Sequence, residues 1–227
     1  AAAFLALCDR AEVRVSVPSG ISAACCGTPW KSKGHLAGYR TATDRTLPML
    51  WEASDGGRLP IVCDASSCTE GLETMRAAAA ESRYAALTFV DSVAFAHESL
   101  LGLLPVTHPI PSIAIHPTCS STQLGDNDAL VAIARRISPD AVVPDSWGCC
   151  GFAGDRGLLH PELTESATVF ESAEVGSREY AAYASTNRTC ELGMSRATGQ
   201  RYLHILELLE RATSAPERDA RFRGSPD

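Results

Sequence analysis

The sequence predicts an α/β fold of two repeated halves, with mainly parallel strands and cysteines gathered at the carboxyl-terminal edge of the strands. Three observations predict it. Short apolar, β-branched runs alternate with stretches of helical spacing along the chain. Two cysteine pairs, Cys25-Cys26-Gly27 and Cys149-Cys150-Gly151, each follow such a run. The pairs and the single cysteines after them also recur at nearly one offset: Cys149 lies 124 positions after Cys25, and Cys190 lies 122 after Cys68. A near-constant offset marks duplication.

In order, residues 1–10 have helical spacing, and Val13-Arg14-Val15-Ser16-Val17 reads as a buried strand leading to Cys25 and Cys26. Residues 35–54 are helical, with Pro48 expected to kink or restart the helix and Asp55-Gly56-Gly57 to stop it. Leu59–Cys63 is a strand, the run after Cys68 a helix, 86–90 a strand and 91–104 an amphipathic helix. The second half begins with the strand Ile113-Ala114-Ile115, which delivers His116 and Cys119. Asp126–Ile137 is a helix with acidic residues in its first turn, and Ala141–Val143 is the strand before Cys149 and Cys150. Helices follow over 162–175, from Cys190 through Arg196, and over 202–211. The halves divide as 1–105 and 106–212, with a disordered tail from 213, rich in Pro, Arg, Asp and Ser.

Cys119 lies 30 positions before Cys149, and the same spacing in the first half falls ahead of residue 1. Ala1–Leu7 also reads as mid-helix, so the chain is expected to be a fragment whose first half has a leading cysteine upstream.

A net charge of -7 argues against nucleic acid, which is bound largely by neutralising phosphates. No apolar run reaches the ~18 residues of a membrane span, and no signal segment opens the chain. A cytoplasmic protein, or one held at the inner membrane face by a partner, is expected.

Nine cysteines are an odd number and are not spaced like a secreted disulfide scaffold. Several thiolates at one point repel one another unless they bind a cation or cluster. Backbone N–H groups at glycine turns and helix starts offset the charge of an iron–sulfur centre. Four cysteines also hold structural zinc, although the usual paired Cys-x-x-Cys knuckles are missing here, and buried free thiols are the third reading. Cys8 and Cys63 read as small buried hydrophobes. Lys31 and Lys33, the only lysines, follow the first pair, where they either moderate cluster charge or sit in a solvated loop. His116 either hydrogen-bonds near the site or shapes a turn, and Asp155 and Arg156 read as a local turn pair.

The strings CCGTPWKSKG (25–34), CDASSCTEGL (63–72), HPTCSSTQLG (116–125), WGCCGFAGDRGLLHPELTESA (147–167) and NRTCELGMSRATG (187–199) carry a resemblance. The repeated pattern resembles the cysteine-rich CCG domain of the heterodisulfide reductases, the glycolate oxidase iron–sulfur subunit and lactate-utilisation proteins. The longer strings resemble the C-terminal part of FAD- and iron–sulfur-containing D-lactate dehydrogenases, over about residues 1–211. The resemblance implies that Cys119, Cys149, Cys150 and Cys190 ligate a [4Fe–4S] cluster. It makes Cys25, Cys26 and Cys68 the equivalent half-site. It places FAD in a domain upstream and implies electron transfer from flavin to a cytochrome or quinone, the fragment alone not oxidising lactate. The full pattern ends Cys-x-x-Cys, and here its first position is Ala65 or Asn187, a departure from the five-cysteine, non-cubane arrangement. A zinc-stapled docking domain and a separate subunit of the glycolate oxidase type are the other readings.

Overall fold

The computed structural model describes residues 1–214. The chain forms an α/β fold with two parallel sheets, and most of its ordered residues are helical.

Helix α1 (Ala2–Arg10) buries Phe4, Leu7 and Cys8, the positions that share one face at three- and four-residue spacing. Residues 13–17 correct the expected strand. They take no regular secondary structure and pair with no strand among the described residues, and Val15 and Val17 are exposed. A strand exists only through its neighbour's hydrogen bonds, and no neighbour stands beside this segment.

Helix α2 (Thr28–Ser32) starts directly after the first cysteine pair, with Pro29 in its first turn where a missing N–H costs nothing. Helix α3 (Leu36–Ala53) runs through Pro48 without interruption, against expectation. A proline inside a helix costs about 3 kcal/mol. Leu47 and Leu50, both buried on the same side, each contribute about 1.5–3 kcal/mol by leaving water, which offsets that cost.

Strand β1 (Ile61–Cys63), helix α4 (Ser66–Ala78) and strand β2 (Phe89–Asp91) form the smaller sheet, with Val62 opposite Val90 in parallel register. Ile61 N–H donates to Thr88 C=O at 2.9 Å. Backbone alternation therefore turns Val62 to the opposite edge, where no strand pairs with it among the described residues. Helix α5 (Ser92–Phe95) continues as a π turn over Ala96–Leu100, ending short of the expected 104.

The larger sheet holds strand β3 (Ile113–Ile115), followed by α6 (Cys119–Leu124) and α7 (Asn127–Ile137), then strand β4 (Ala141–Val142). After the second cysteine pair come α8 (Arg156–Leu159), α9 (Pro161–Val175), strand β5 (Ala182–Ser185) and α10 (Arg188–Thr198). Strand β6 (Tyr202–His204) and α11 (Ile205–Thr213) close the described chain. The expected helix over 202–211 is therefore a strand and then a helix, because Tyr202-Leu203-His204 pairs with Tyr183-Ala184-Ser185. Thr213, the expected start of the tail, ends α11, and the remainder from 215 lies outside the described residues.

The strands run β4-β3-β5-β6, all parallel. β3 is central, and Ile113, Ala114 and Ile115 are fully buried between helices on both faces. On one face Ile113, Ile115, Ala184 and Leu203 share a core with α7, α11 and α1, including Phe4, Leu7 and Cys8 from the first half. On the other, Ala114, Tyr183 and Tyr202 meet Cys150, Phe152 and Met194. The order β1-α4-β2 matches β5-α10-β6, so Cys68 and Cys190 occupy the same place, in the first turn of the helix after a strand.

Candidate metal centre

Each cysteine pair sits on a turn that only glycine makes. Gly27 has φ 74° and Gly151 φ 67°, the left-handed region that side chains disfavour. A Cβ on Gly151 would stand 2.6 Å from the Leu163 carbonyl oxygen, and one on Gly27 would stand 2.5 Å from Met75 Cε. The turns aim backbone donors at sulfur: Gly27 N–H donates to Cys25 Sγ and Gly151 N–H to Cys149 Sγ, both at 3.4 Å.

The remaining cysteines stand at helix starts. Cys119 is the first residue of α6, whose N-cap Thr118 accepts from Ser121 N–H in a capping box. Cys68 and Cys190 lie in the first turns of α4 and α10. Backbone N–H groups there favour thiolate, but burial and the neighbouring thiols outweigh them and raise all three.

In the second half Cys150 and Cys190 meet beside His116 past the strand ends, and Cys119 and Cys149 neighbour each other outside that close group. Cys150 faces Cys190 and Cys119 faces Cys149, while Cys190 lies within electrostatic reach of both Cys119 and Cys149. Cys150 is buried and Cys119 and Cys149 are exposed, so the group runs from core to surface. Its proximity to the Cys190 thiol, helped by His116, pulls the Cys150 thiol down to about 5 against the opposing effect of burial. Cys190, facing that thiolate, is raised. Burial, and then Cys149, push Cys119 up to about 11. One proton shared between neighbouring sulfurs is the state that a metal ion displaces.

His116 joins this group. Its ring is buried, and Nδ1 lies 2.8 Å from Glu171 Oε1, itself buried on α9. The ligand atoms of His116, Cys150 and Cys190 lie within 4.8 Å of one another, a buried set that could bind a metal. Burial opposes the imidazolium, but the Cys150 and Glu171 contacts outweigh it and raise His116 to about 9.

The first half assembles less. Cys26 and Cys68 face each other, and this contact draws the Cys26 thiol down to about 6 while Cys68 is raised. Thr28 Oγ1 stands 3.5 Å from Cys26 Sγ. Cys25 shares their turn, and no cysteine takes the place of Cys119 here among the described residues. Cys63 is buried behind β1, its thiol pushed up to about 12 by desolvation, and Cys8 is buried against α11, so both are core residues.

Lys33 pairs with Asp155 and Arg156 donates to the Ser32 carbonyl at 3.4 Å, which ties the two cysteine turns together. Asp155 thus pairs across the halves, not with its neighbour Arg156. Lys31 is exposed.

Two features escaped the reading of the residues. Glu171 lies 55 positions from His116, and nothing in the local pattern of α9 marks it. Gly71 and Gly193, three residues after Cys68 and Cys190, let the cysteine turns pack on α4 and α10. A Cβ on Gly71 would stand 2.3 Å from Thr28 Oγ1 and 3.1 Å from Cys26 Cβ, whereas one on Gly193 would press only mildly, on Phe152 Cδ2 at 3.3 Å. The Cys-x-x-Gly spacing, repeated in both halves, was the available signal. A cavity of about 720 Å³ lined by Ala3, Asp64, Arg188, His204 and Glu207 holds none of these cysteines.

Among the described residues no helix is long and apolar enough to cross a membrane. Compared with the models of known families and with curated proteins, the chain matches none.

Proposed function

We propose that this chain is the iron–sulfur electron-transfer region of a flavin-dependent dehydrogenase acting on D-lactate or a related D-2-hydroxy acid. The observation that carries the reading is that Cys150 faces Cys190 and Cys119 faces Cys149, brought from two helix starts and one glycine turn beyond the strand ends. The donor set fits the group: four sulfurs, a glycine N–H already directed at Cys149, and helix starts beneath Cys119 and Cys190. The repeated halves are read as duplicated CCG half-domains, with Cys25, Cys26 and Cys68 as the second, less complete site.

A [4Fe–4S] cluster bound there supplies one-electron transfer at low reorganisation cost, because charge spreads over several irons and sulfides. The residues of this chain do the rest. Gly151 N–H and the α10 N-terminus lower the charge on the sulfurs, and Phe152 and Met194 keep water from the inner side. Cys119 and Cys149 stand on the exposed side, where a partner can approach. FAD and the hydroxy acid belong to a separate domain in this reading, and the acceptor is a cytochrome or quinone.

A zinc-stapled docking domain is the second reading, favoured by the mixed nitrogen and sulfur donors of His116, Cys150 and Cys190. Anaerobic purification followed by iron, zinc and acid-labile sulfide analysis separates the two. Iron and sulfide with a reducible EPR signal support electron transfer. Stoichiometric zinc without sulfide overturns it.

A further inference from the structure

We propose that His116 binds the metal directly through Nε2, beside Cys150 and Cys190, so that the second-half site is a mixed nitrogen–sulfur site with Glu171 as its positioning residue. This rests on the reading of the second half as a metal site but alters its ligand set: a [4Fe–4S] cluster takes one protein ligand per iron, so His116 stands there in place of one of the exposed cysteines, Cys119 or Cys149, whereas a zinc ion takes His116 within an ordinary four-ligand set.

The main chain clamps His116 at the end of the central strand. Its N–H donates to the Ala184 carbonyl at 2.8 Å, and its carbonyl accepts from Ser185 Oγ at 2.9 Å. The side chain has no exposed path to water. Nδ1 meets the Glu171 carboxylate at 2.8 Å, and a carboxylate accepts, so the proton on that side of the ring belongs to Nδ1. Glu171 is held in turn, because its other oxygen accepts from Gly148 N–H at 3.4 Å, in the loop that carries the cysteine pair.

Nε2 is left over. It is buried and makes no geometric hydrogen bond, and in the metal-free chain the proton it holds toward Cys150 is the one that a metal displaces. One ring nitrogen and the Cys150 and Cys190 sulfurs lie within 4.8 Å of one another, and with Nδ1 committed to Glu171, Nε2 is the nitrogen left to bind a metal there. A ring that donates one N–H to a carboxylate and turns the other nitrogen to a cluster of thiolates has the arrangement of metal-ligating histidines, in which the carboxylate sets the tautomer. His204 also leaves its Nε2 buried without a partner, but its Nδ1 caps a helix and no sulfurs gather beside its ring, so it is the neighbouring Cys150 and Cys190 that mark His116. The first-half site has Thr28 beside Cys26 and no imidazole, so the two sites differ in chemistry.

The test uses the full chain with ¹⁵N-labelled histidine, loaded anaerobically with iron and sulfide, reduced, and read by pulsed EPR. A nitrogen coupling of the size given by directly bound imidazole is expected, and its loss in His116→Gln. A coupling no larger than that of a hydrogen-bonded nitrogen overturns the proposal. A parallel sample loaded with cadmium reads the same contact by ¹¹³Cd NMR, where replacing nitrogen with another donor moves the resonance. An identical resonance in wild type and His116→Gln overturns the proposal too. If the chain takes zinc and no iron, the electron-transfer reading falls and the cadmium arm alone decides the ligand. Glu171→Gln, which keeps the shape and removes the charge, is expected to weaken metal binding about 10–100-fold. A merely structural Glu171 would lower thermal stability and leave metal affinity unmoved.

Discussion

Asn187 Oδ1 accepts from both the N–H and the hydroxyl of Ser67, at 3.1 and 3.3 Å, and joins the starts of the two helices that carry Cys190 and Cys68. Asn187 is the N-cap of α10 and its oxygen serves α4 instead, so this side chain is one of the bonds that hold the two helix starts together. Asn187→Ala leaves the Ser67 N–H without its partner and should cost about 1–3 kcal/mol. Asn187→Asp keeps the acceptor but loses the Nδ2 donor to Thr118 Oγ1 at 3.4 Å and buries a charge, so it should be destabilised as well. Urea melts read both, and an unchanged midpoint for the alanine variant would contradict the role given to this bond.

The cysteine turns should tolerate no side chain. Gly34 and Gly151 both have positive φ, but a Cβ meets nothing at Gly34 and a backbone oxygen at Gly151. Gly34→Ala should cost about 1–2 kcal/mol from its left-handed backbone alone. Gly151→Ala should lose a further 1–3 kcal/mol or so through overpacking, and its metal content with it. Equal melting temperatures for the two variants would show that the close approach to Leu163 is relieved cheaply.

The nine cysteines should divide cleanly by metal content. Cys150→Ser and Cys190→Ser should empty the second-half site, as measured by metal per chain after anaerobic loading. Cys63→Ser and Cys8→Ser should leave metal content unchanged, and Cys8→Ser should lower stability by about 1–3 kcal/mol because a hydroxyl replaces a buried thiol. Metal loss in Cys63→Ser would place that residue in the first-half site.

Stability should fall with acid through a histidine remote from the cysteines. Burial holds His204 down to about 4, from an ordinary value of 6.5, and its ring caps α11 by accepting from Leu206 N–H at 3.2 Å. Above pH 6.5 both states are neutral there and its contribution is complete. As pH falls from 6.5 to about 4 the unfolded chain takes up a proton that the folded chain refuses, so stability drops by about 3 kcal/mol over that window. His204→Asn keeps a cap and removes the titration. Its stability should change less than wild type across the same range in urea melts at several pH values.

Hydrogen exchange should separate the two sheets. Val62 N–H faces the unpaired edge of β1, whereas the equivalent edge of β5 is occupied by β3, with His116 N–H bonded to Ala184 C=O. The Val62 amide should exchange far faster than that of His116. Comparable protection would mean that another segment covers β1 in solution.

The local backbone that carries the cysteines was largely legible in the residues, and the reason is local. A glycine after a cysteine pair, and a cysteine one turn into a helix that follows a strand, are set by backbone conformation within a few residues. Strand pairing was less legible. Val13–Val17 has the composition of a strand and is not one, while Tyr202–His204 was read as helix and is a strand, because each outcome depends on whether a neighbour is present. Pro48 shows the same limit, since two leucines buried elsewhere in the fold outweigh a local helix breaker.

From the order of residues alone follow the alternation of strand and helix, the parallel sheet, and the thiol-bearing positions at its carboxyl edge, because backbone sterics and apolar spacing act over short distances. Only the folded chain decides that Cys119 meets Cys149, that Cys150 meets Cys190, and that His116 stands between Glu171 and two sulfurs. Those contacts join segments tens of positions apart, and they form only when helices close over both faces of a sheet and bring distant side chains into one small volume.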